Sequence, residues 1–315
     1  MINLDKPHLW KVDVAASVDL FNSWFMLAAP RAFRDSRVKA TVLVEAGVLA
    51  TGNLTDITPA LLKAEPTVLK ILRSATCPPL AQDRLGGLAG VPTTFIKAME
   101  DNARLPLRAK ASTIDRALDE IADVINRMLD VDLFPWLSRG DGPTDEERHR
   151  ASTIVADRLC GALSNPIIRN AQERRQLDLI GDYLTAKGYY EAKSSPSDQS
   201  INIMEPGTYS FRTNLVVGRN VRVPIDCVIQ PRVMRSGKLP ILIEAKSAGD
   251  FTNTNKRRKE EATKVHQLRA AFGDHIEFVL FLCGYFDVGY LGYEAAEGID
   301  WVWEHRISDL DLLGI

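Results

Sequence analysis

Asp226, Glu244 and Lys246 are three ionisable side chains in a stretch that otherwise reads as buried strand, VRVPIDCVIQPRVMRSGKLPILIEAK from Val221 to Lys246. Two carboxylates and an amine gathered on apolar strands are costly, because each unpaired charge there costs several kcal/mol. A divalent cation held by the two carboxylates relieves that cost. Spacing brings the three together. Asp226 and Glu244 each lie nine residues from Arg235, within the polar segment Arg235, Ser236, Gly237 and Lys238. An antiparallel hairpin turning there sets the two carboxylates opposite each other. Glu244 and Lys246, two residues apart on one strand, share a face.

The elements around this hairpin follow from periodicity. Ile167 to Lys187 has helical spacing, with Leu177, Ile180 and Leu184 on one face and Glu173 one turn before Leu177. An acid on that side is either an ion-pair partner for an arginine or a third carboxylate of the site, and both readings stand. Asn170, Arg174 and Arg175 flank it. Tyr209 to Val217 reads as a strand leading into the hairpin. Asn253 to Phe272 reads as a basic helix bearing Asn255, Lys256, Arg257, Lys264, Gln267 and Arg269. Asn, Gln and Arg are types that read base edges, and Lys and Arg are types that grip phosphate, although a solvated helix has a similar composition. Ile276 to Cys283 is apolar enough for a buried strand, Trp301 to Trp303 is another, and Ile307 to Leu313 a terminal helix.

The front of the chain is helical: Val14 to Ala29 ending at Pro30, a helix opening at Thr58 and Pro59, and Thr113 to Leu129. Gln82 to Asp101 has the spacing of a helix-turn-helix, with Gly86 and Gly90 as close-packing and turn residues; plain packing of two short helices explains the same pattern. A Gly, Pro and Asp cluster from Ser138 to Asp145 marks a boundary. The expected organisation is a helical domain over 1–140, a connecting helix over 141–164 with a new helix starting at Asn165 and Pro166, and an α/β domain over 165–315.

Composition narrows the classes. The chain has 315 residues, 45% hydrophobic and 25% charged, as in a soluble globular protein, with net charge -2 and pI near 6.2. Yet Phe211 to His275 holds thirteen Lys or Arg against six Asp or Glu, an anion-facing window in a chain of the opposite sign. The four cysteines are far apart, which argues against a zinc site or disulfide framework and suits a reducing compartment. The five histidines form no metal-ligand spacing, and no GxxxxGK[ST] loop is present, which argues against ATP-driven action. No basic-then-apolar leader opens the chain, nor is there an unbroken apolar run of about 18 residues, so neither export nor a membrane span is expected.

Pro224 to Asp226 and Glu244 to Lys246 resemble the PD-(D/E)xK nuclease motif, with Ile225 inserted between the Pro and the Asp. NPIIRNAQERRQLDLIGDYLTAKGYY, PIDCVIQ, LIEAKSAGDFTNTNKRRKEEATKVHQL and DWVWEHRISDL extend the likeness to the XamI-type family of type II restriction endonucleases, over most of residues 80–315. The resemblance implies a restriction-endonuclease-like α/β core, a mixed sheet flanked by helices, behind an N-terminal all-α domain. It further implies that Asp226, Glu244 and the main-chain carbonyl of Ala245 hold Mg²⁺, and that Lys246 orients and deprotonates the attacking water, with Glu173 at the position of the acid often carried on the fold's first helix. The expected function is Mg²⁺-dependent cleavage of double-stranded DNA at a short palindromic site, leaving 5′-phosphate and 3′-hydroxyl ends. A homodimer, a functionally linked methyltransferase and the bacterial cytoplasm complete that expectation. Two alternatives are a repair or recombination nuclease with little sequence preference and a non-catalytic helix-turn-helix regulator.

Overall fold

The computed structural model describes the chain except residues 107–108, 193–203, 219–220, 234–238 and 253, and except the side chains of 255–257. The hairpin turn expected over Arg235 to Lys238 lies outside the described residues. Two compact units emerge: Met1–Ala29 together with Ile168–Ile315, and Pro30–Ile167.

The Pro30–Ile167 unit is helical. It contains the second part of α1 (Pro7–Ala50), then α2 (Pro59–Ala64), α3 (Leu69–Ser74), α4 (Gln82–Ala89), α5 (Thr93–Asn102), α6 (Ala111–Met128), α7 (Trp136–Arg139) and the first part of α8 (Asp145–Ala186). Its core includes Leu62, Leu72, Leu85, Ile96, Leu118, Ile121, Phe134 and Val155, all fully buried. α4 and α5 form the expected helix pair. Gly90 ends α4 in the left-handed region at φ +63°, and Gly86 lies so close to the turn that a Cβ there would stand 2.7 Å from the Val91 carbonyl oxygen.

The other unit is built on a mixed sheet of β1 (Tyr190–Glu191), β2 (Thr208–Gly218), β3 (Val221–Gln230), β4 (Ile241–Ala248), β5 (Phe278–Gly284) and β6 (Asp300–Trp303), in that spatial order. β2, β3 and β4 pair antiparallel, while β1 pairs parallel with β2, and β5 parallel with β4 and β6. α9 (Thr254–Phe272) links β4 to β5 and α10 (Val288–Ala296) links β5 to β6, the helical crossovers that parallel neighbours need. A 3₁₀ run, Glu304–Leu313, stands where the terminal helix was expected. One sheet face packs Leu242, Leu280 and Leu282 with Val265 and Leu268 of α9; the other packs Ile241, Ile243 and Phe281 with Leu177, Ile180 and Leu184 of α8. This is the expected α/β architecture. β5, sandwiched by both layers, is buried at every position, which explains its continuous apolar sequence.

The unit boundaries depart from the expected cut near residue 140. α7, the Gly-Pro-Asp loop and the start of α8 all belong to the helical unit, where Arg139 bridges Asp141 and Glu147. The first 29 residues instead pack with the sheet. Their Ile2, Asn3 and Leu4 amides donate to the Asp300 carboxylate, and Ser17 Oγ accepts from the Gly284 amide at 2.7 Å. Trp10 meets Trp301 edge-on with ring centroids 5.5 Å apart. These contacts span nearly the whole chain and leave no local periodicity. The two prolines expected to separate helices, Pro30 and Pro166, lie inside α1 and α8. Each forfeits one backbone hydrogen bond, but in helices of 44 and 42 residues the nucleus is supplied elsewhere and the proline φ remains helical. Both fall within two residues of a unit boundary. By length and composition α1 is apolar enough to cross a membrane, but in the sheet unit its Trp10 and Phe21 are core residues.

Candidate active site

Strand register determines where the three ionisable side chains stand. β3 and β4 pair through Ile229↔Ile241, Val228↔Leu242 and Cys227↔Ile243, the register expected for a hairpin centred on Arg235. The next pair outward is Asp226 with Glu244, and there the ladder stops. Instead, the Asp226 carboxylate accepts the Ala245 amide at 2.8 Å, so a side chain completes the backbone hydrogen bonding at the point where the strands part. β3 also changes sides here: Val223 and Ile225 pack toward α9, while Cys227 and Ile229 pack toward α8. Simple alternation forbids that, so the side-chain alternation of β3 reverses at Asp226, although the register with β2 runs unbroken through this point. Across β2, Phe211 pairs with Cys227 and Thr213 with Ile225, and Arg212 between them has φ +52°. A positive φ in a strand arginine stores strain beside the catalytic candidate.

Glu244 is almost fully buried, at 6% exposure, and both its oxygens are engaged by ammonium groups. Lys246 Nζ donates to Oε1 at 2.9 Å and Lys264 Nζ to Oε2 at 2.6 Å. Burial, followed by repulsion from Glu244, pushes Asp226 up to about 6 despite the Ala245 amide and the two lysines. Burial works against the Lys246 ammonium, yet the carboxylates of Glu244, Glu261 and Asp226 together outweigh it and the pKa is raised. The cluster thus sets two carboxylates against two ammonium groups, with the main-chain oxygens of β4 beside them. Such an all-oxygen set fits a hard cation such as Mg²⁺, which takes one or two carboxylates and keeps several waters; no group of three or more His, Cys, Asp or Glu side chains able to hold a metal occurs among the described residues.

A cleft of about 560 Å³ opens over this cluster, lined by Arg222, Pro224, Glu244, Lys246, Lys259, Lys264 and Gln267, among others. Of the α9 residues expected to touch DNA, Lys264 is drawn into the carboxylate cluster and Gln267 faces the cleft. Arg269 instead donates to the Glu297 and Gly298 carbonyls at 3.0 Å each, holding α9 to the end of α10. Asn255, Lys256 and Arg257 have side chains outside the described residues. Glu173 is on α8, partly exposed, and accepts from Arg212 at 3.2 Å, the ion-pair reading of its position. The α8 side chain that reaches the active strand is Gln176, fully buried, whose amide donates to the Lys246 and Phe281 carbonyls at 3.4 Å.

Sequence reasoning missed Glu261, buried on α9 in the cleft wall, where Tyr290 donates to it at 2.5 Å. Glu294 of α10 is its buried neighbour, pushed up to about 9 by burial and then by the Glu261 charge. The signal was available in part: Glu261, Lys264, Val265 and Leu268 recur at i, i+3, i+4 and i+7, one helix face turned to the sheet. Arg222, on β3 in the cleft, was counted in the basic window without a role.

A mixed sheet carrying an acid and a Glu-x-Lys pair where an antiparallel ladder parts, beside a basic helix, has the chemistry to act on a polyanion. The family model of the XamI restriction endonuclease matches residues 52–303, and this chain belongs to that family. It is 54% identical over 316 residues to the type II restriction enzyme SalI of Streptomyces albus G, covering 100% of both chains. It is also 25% identical over 191 residues to the type II restriction enzyme XamI of Xanthomonas campestris pv. amaranthicola, covering 61% of this chain and 62% of that one. The protein is thus a site-specific endonuclease of the type II restriction class.

Proposed function

We propose that this enzyme hydrolyses both strands of DNA at a short palindromic site with Mg²⁺ as cofactor, leaving 5′-phosphate and 3′-hydroxyl ends. The observation that carries the proposal is the Asp226, Glu244 and Lys246 cluster, built where the β3 and β4 ladder parts, with Glu244 and Lys246 lining a cleft that Arg222, Lys259 and Lys264 also line. Asp226, Glu244 and the Ala245 carbonyl would hold the cation. Bound there, it supplies Lewis-acid polarisation of the scissile phosphate and a lowered pKa for water. Asp226 stays aligned because the Ala245 amide holds its other oxygen. Lys246, kept as an ammonium by the carboxylates around it, orients the attacking water and opposes the charge that develops on phosphorus. Gln176 braces the strand carbonyl at Lys246 from below. Arg222, Lys259 and Gln267, which line the cleft, would meet the DNA, together with Asn255, Lys256 and Arg257 earlier in α9. Glu173, paired with Arg212, is assigned a supporting role rather than a ligand's.

A palindrome is most simply read by a two-fold protein, so the working form is proposed to be a homodimer in the bacterial cytoplasm, paired with a methyltransferase that shields the host's own sites. The helical unit, with its α4 and α5 pair, is proposed to serve DNA recognition or dimer formation.

A plasmid digest in Mg²⁺ tests the reading. Discrete fragments with 5′-phosphorylated ends are expected, and a smear sinks sequence-specific cutting. Glu244→Ala and Lys246→Ala should each lower the cleavage rate by roughly 10²–10⁴-fold while duplex binding, measured by gel shift in Ca²⁺, stays within a few-fold. Cleavage retained in either variant refutes the assignment of the site.

A further inference from the structure

We propose that Lys264 is a built-in counter-ion that stands in the place of the divalent cation and yields it when DNA and metal arrive. This rests on the nuclease reading of the site. Glu244 is almost completely buried and each of its oxygens is held by a different ammonium, Lys246 at 2.9 Å and Lys264 at 2.6 Å. An oxygen so occupied is not open to a divalent ion, because a second cation at that distance is strongly repelled. One lysine must therefore give way. Lys246 is two residues from Glu244 on the same strand and the same face, and Gln176 braces its main-chain carbonyl, so the strand itself presents this ammonium to Glu244. Lys264 comes from another element, α9, and lines the cleft, so rotation of its four-carbon stem takes the ammonium off Glu244 and into the space where a phosphate enters.

Charge balance points the same way. Asp226 and Glu244 against Lys246 and Lys264 is a neutral set, and the metal-free protein gains by it, since two buried carboxylates with a single partner would repel each other. A divalent ion added to that set leaves it with two excess positive charges. The excess is tolerated once the DNA phosphate supplies negative charge and Lys264 moves to meet it. The lysine thus makes metal binding and DNA binding favour each other, and it holds down metal affinity in the free enzyme.

The test is Mn²⁺ binding to the DNA-free, full-length protein, followed by electron paramagnetic resonance and calorimetry. Lys264→Gln should bind Mn²⁺ on the order of tenfold more tightly than the parent, from the removal of one unit charge beside the ion. Lys264→Met, which keeps the stem without the charge, carries the same expectation should the Gln variant not fold, and Lys264→Arg should remain as weak as the parent. Asp226→Asn, the control on the site itself, should lose the binding. Mn²⁺ bound equally well or more weakly by Lys264→Gln and Lys264→Met, with the Asp226→Asn loss intact, overturns the counter-ion role alone. Binding that survives in Asp226→Asn overturns the metal site and the counter-ion role together.

Discussion

Single residues in this enzyme are legible according to how far their partners lie along the chain. Asp226, Glu244 and Lys246 stood out because ionisable groups on apolar strands need a reason, and their strands are adjacent. Glu261 did not, and Lys264 reads from the sequence as a DNA contact and not as a partner of Glu244, since α9 is basic along its length and only docking on the sheet shows which of its charges turn inward. The acid pair on α9 and α10 has a consequence in pH. Glu294 is protonated in the folded protein up to about 9 but titrates near the ordinary carboxyl value when unfolded. Between those two values the folded state holds the extra proton, so stability from this group is full below the unfolded pKa and is lost as pH rises toward 9. The slope is at most about 1.4 kcal/mol per pH unit. Glu294→Gln should flatten it: urea midpoints at pH 6 and pH 8.5 should differ less in the variant than in the parent, and an unchanged difference rules out the buried acid as its source.

At the scale of elements, periodicity located the strands β2 to β6 and the longer helices α6 and α9, whereas α3, α7, α10 and the short β1 went unread in the sequence. Pro30 is expected to end one helix and Pro166 to open another, yet α1 and α8 run through them. A loss of about 3 kcal/mol is outweighed when turns on both sides are anchored in separate cores, which no local window reveals. Helix pairing offers a matched test. In α4, a Cβ at Gly86 would meet the Val91 carbonyl oxygen at 2.7 Å, whereas Gly87 has nothing within 4 Å. Gly87→Ala should raise stability by about 0.5–1 kcal/mol through helix propensity alone, and Gly86→Ala should lower it by more than that gain. Thermal melts of the two variants check this; equal shifts would show that the α4 and α5 turn is not closely packed.

Across the whole molecule, the most consequential contacts join the two ends of the chain. Ile2 and Asn3 are tied to Asp300, Asp13 pairs with Arg306 at 2.7 Å, and Trp10 covers Trp301. Deleting residues 1–29 should therefore leave the sheet unit without part of its core. The expected signs are loss of the near-ultraviolet tryptophan signal and dye binding to exposed apolar surface; a truncated protein with a parental near-ultraviolet spectrum would show the N-terminal segment to be dispensable. The sequence by itself determined the class of fold and drew attention to Asp226, Glu244 and Lys246, because alternation, turn chemistry and adjacent strands are local properties, while the β3 and β4 register was legible only to within a residue or two until the structure set it. Only the tertiary structure decided that the first 29 residues belong with the sheet, that β3 reverses its side-chain alternation at Asp226, and that Lys264 crosses from α9 to Glu244. Each of these joins residues far apart in sequence, and burial and charge pairing, not spacing, select them.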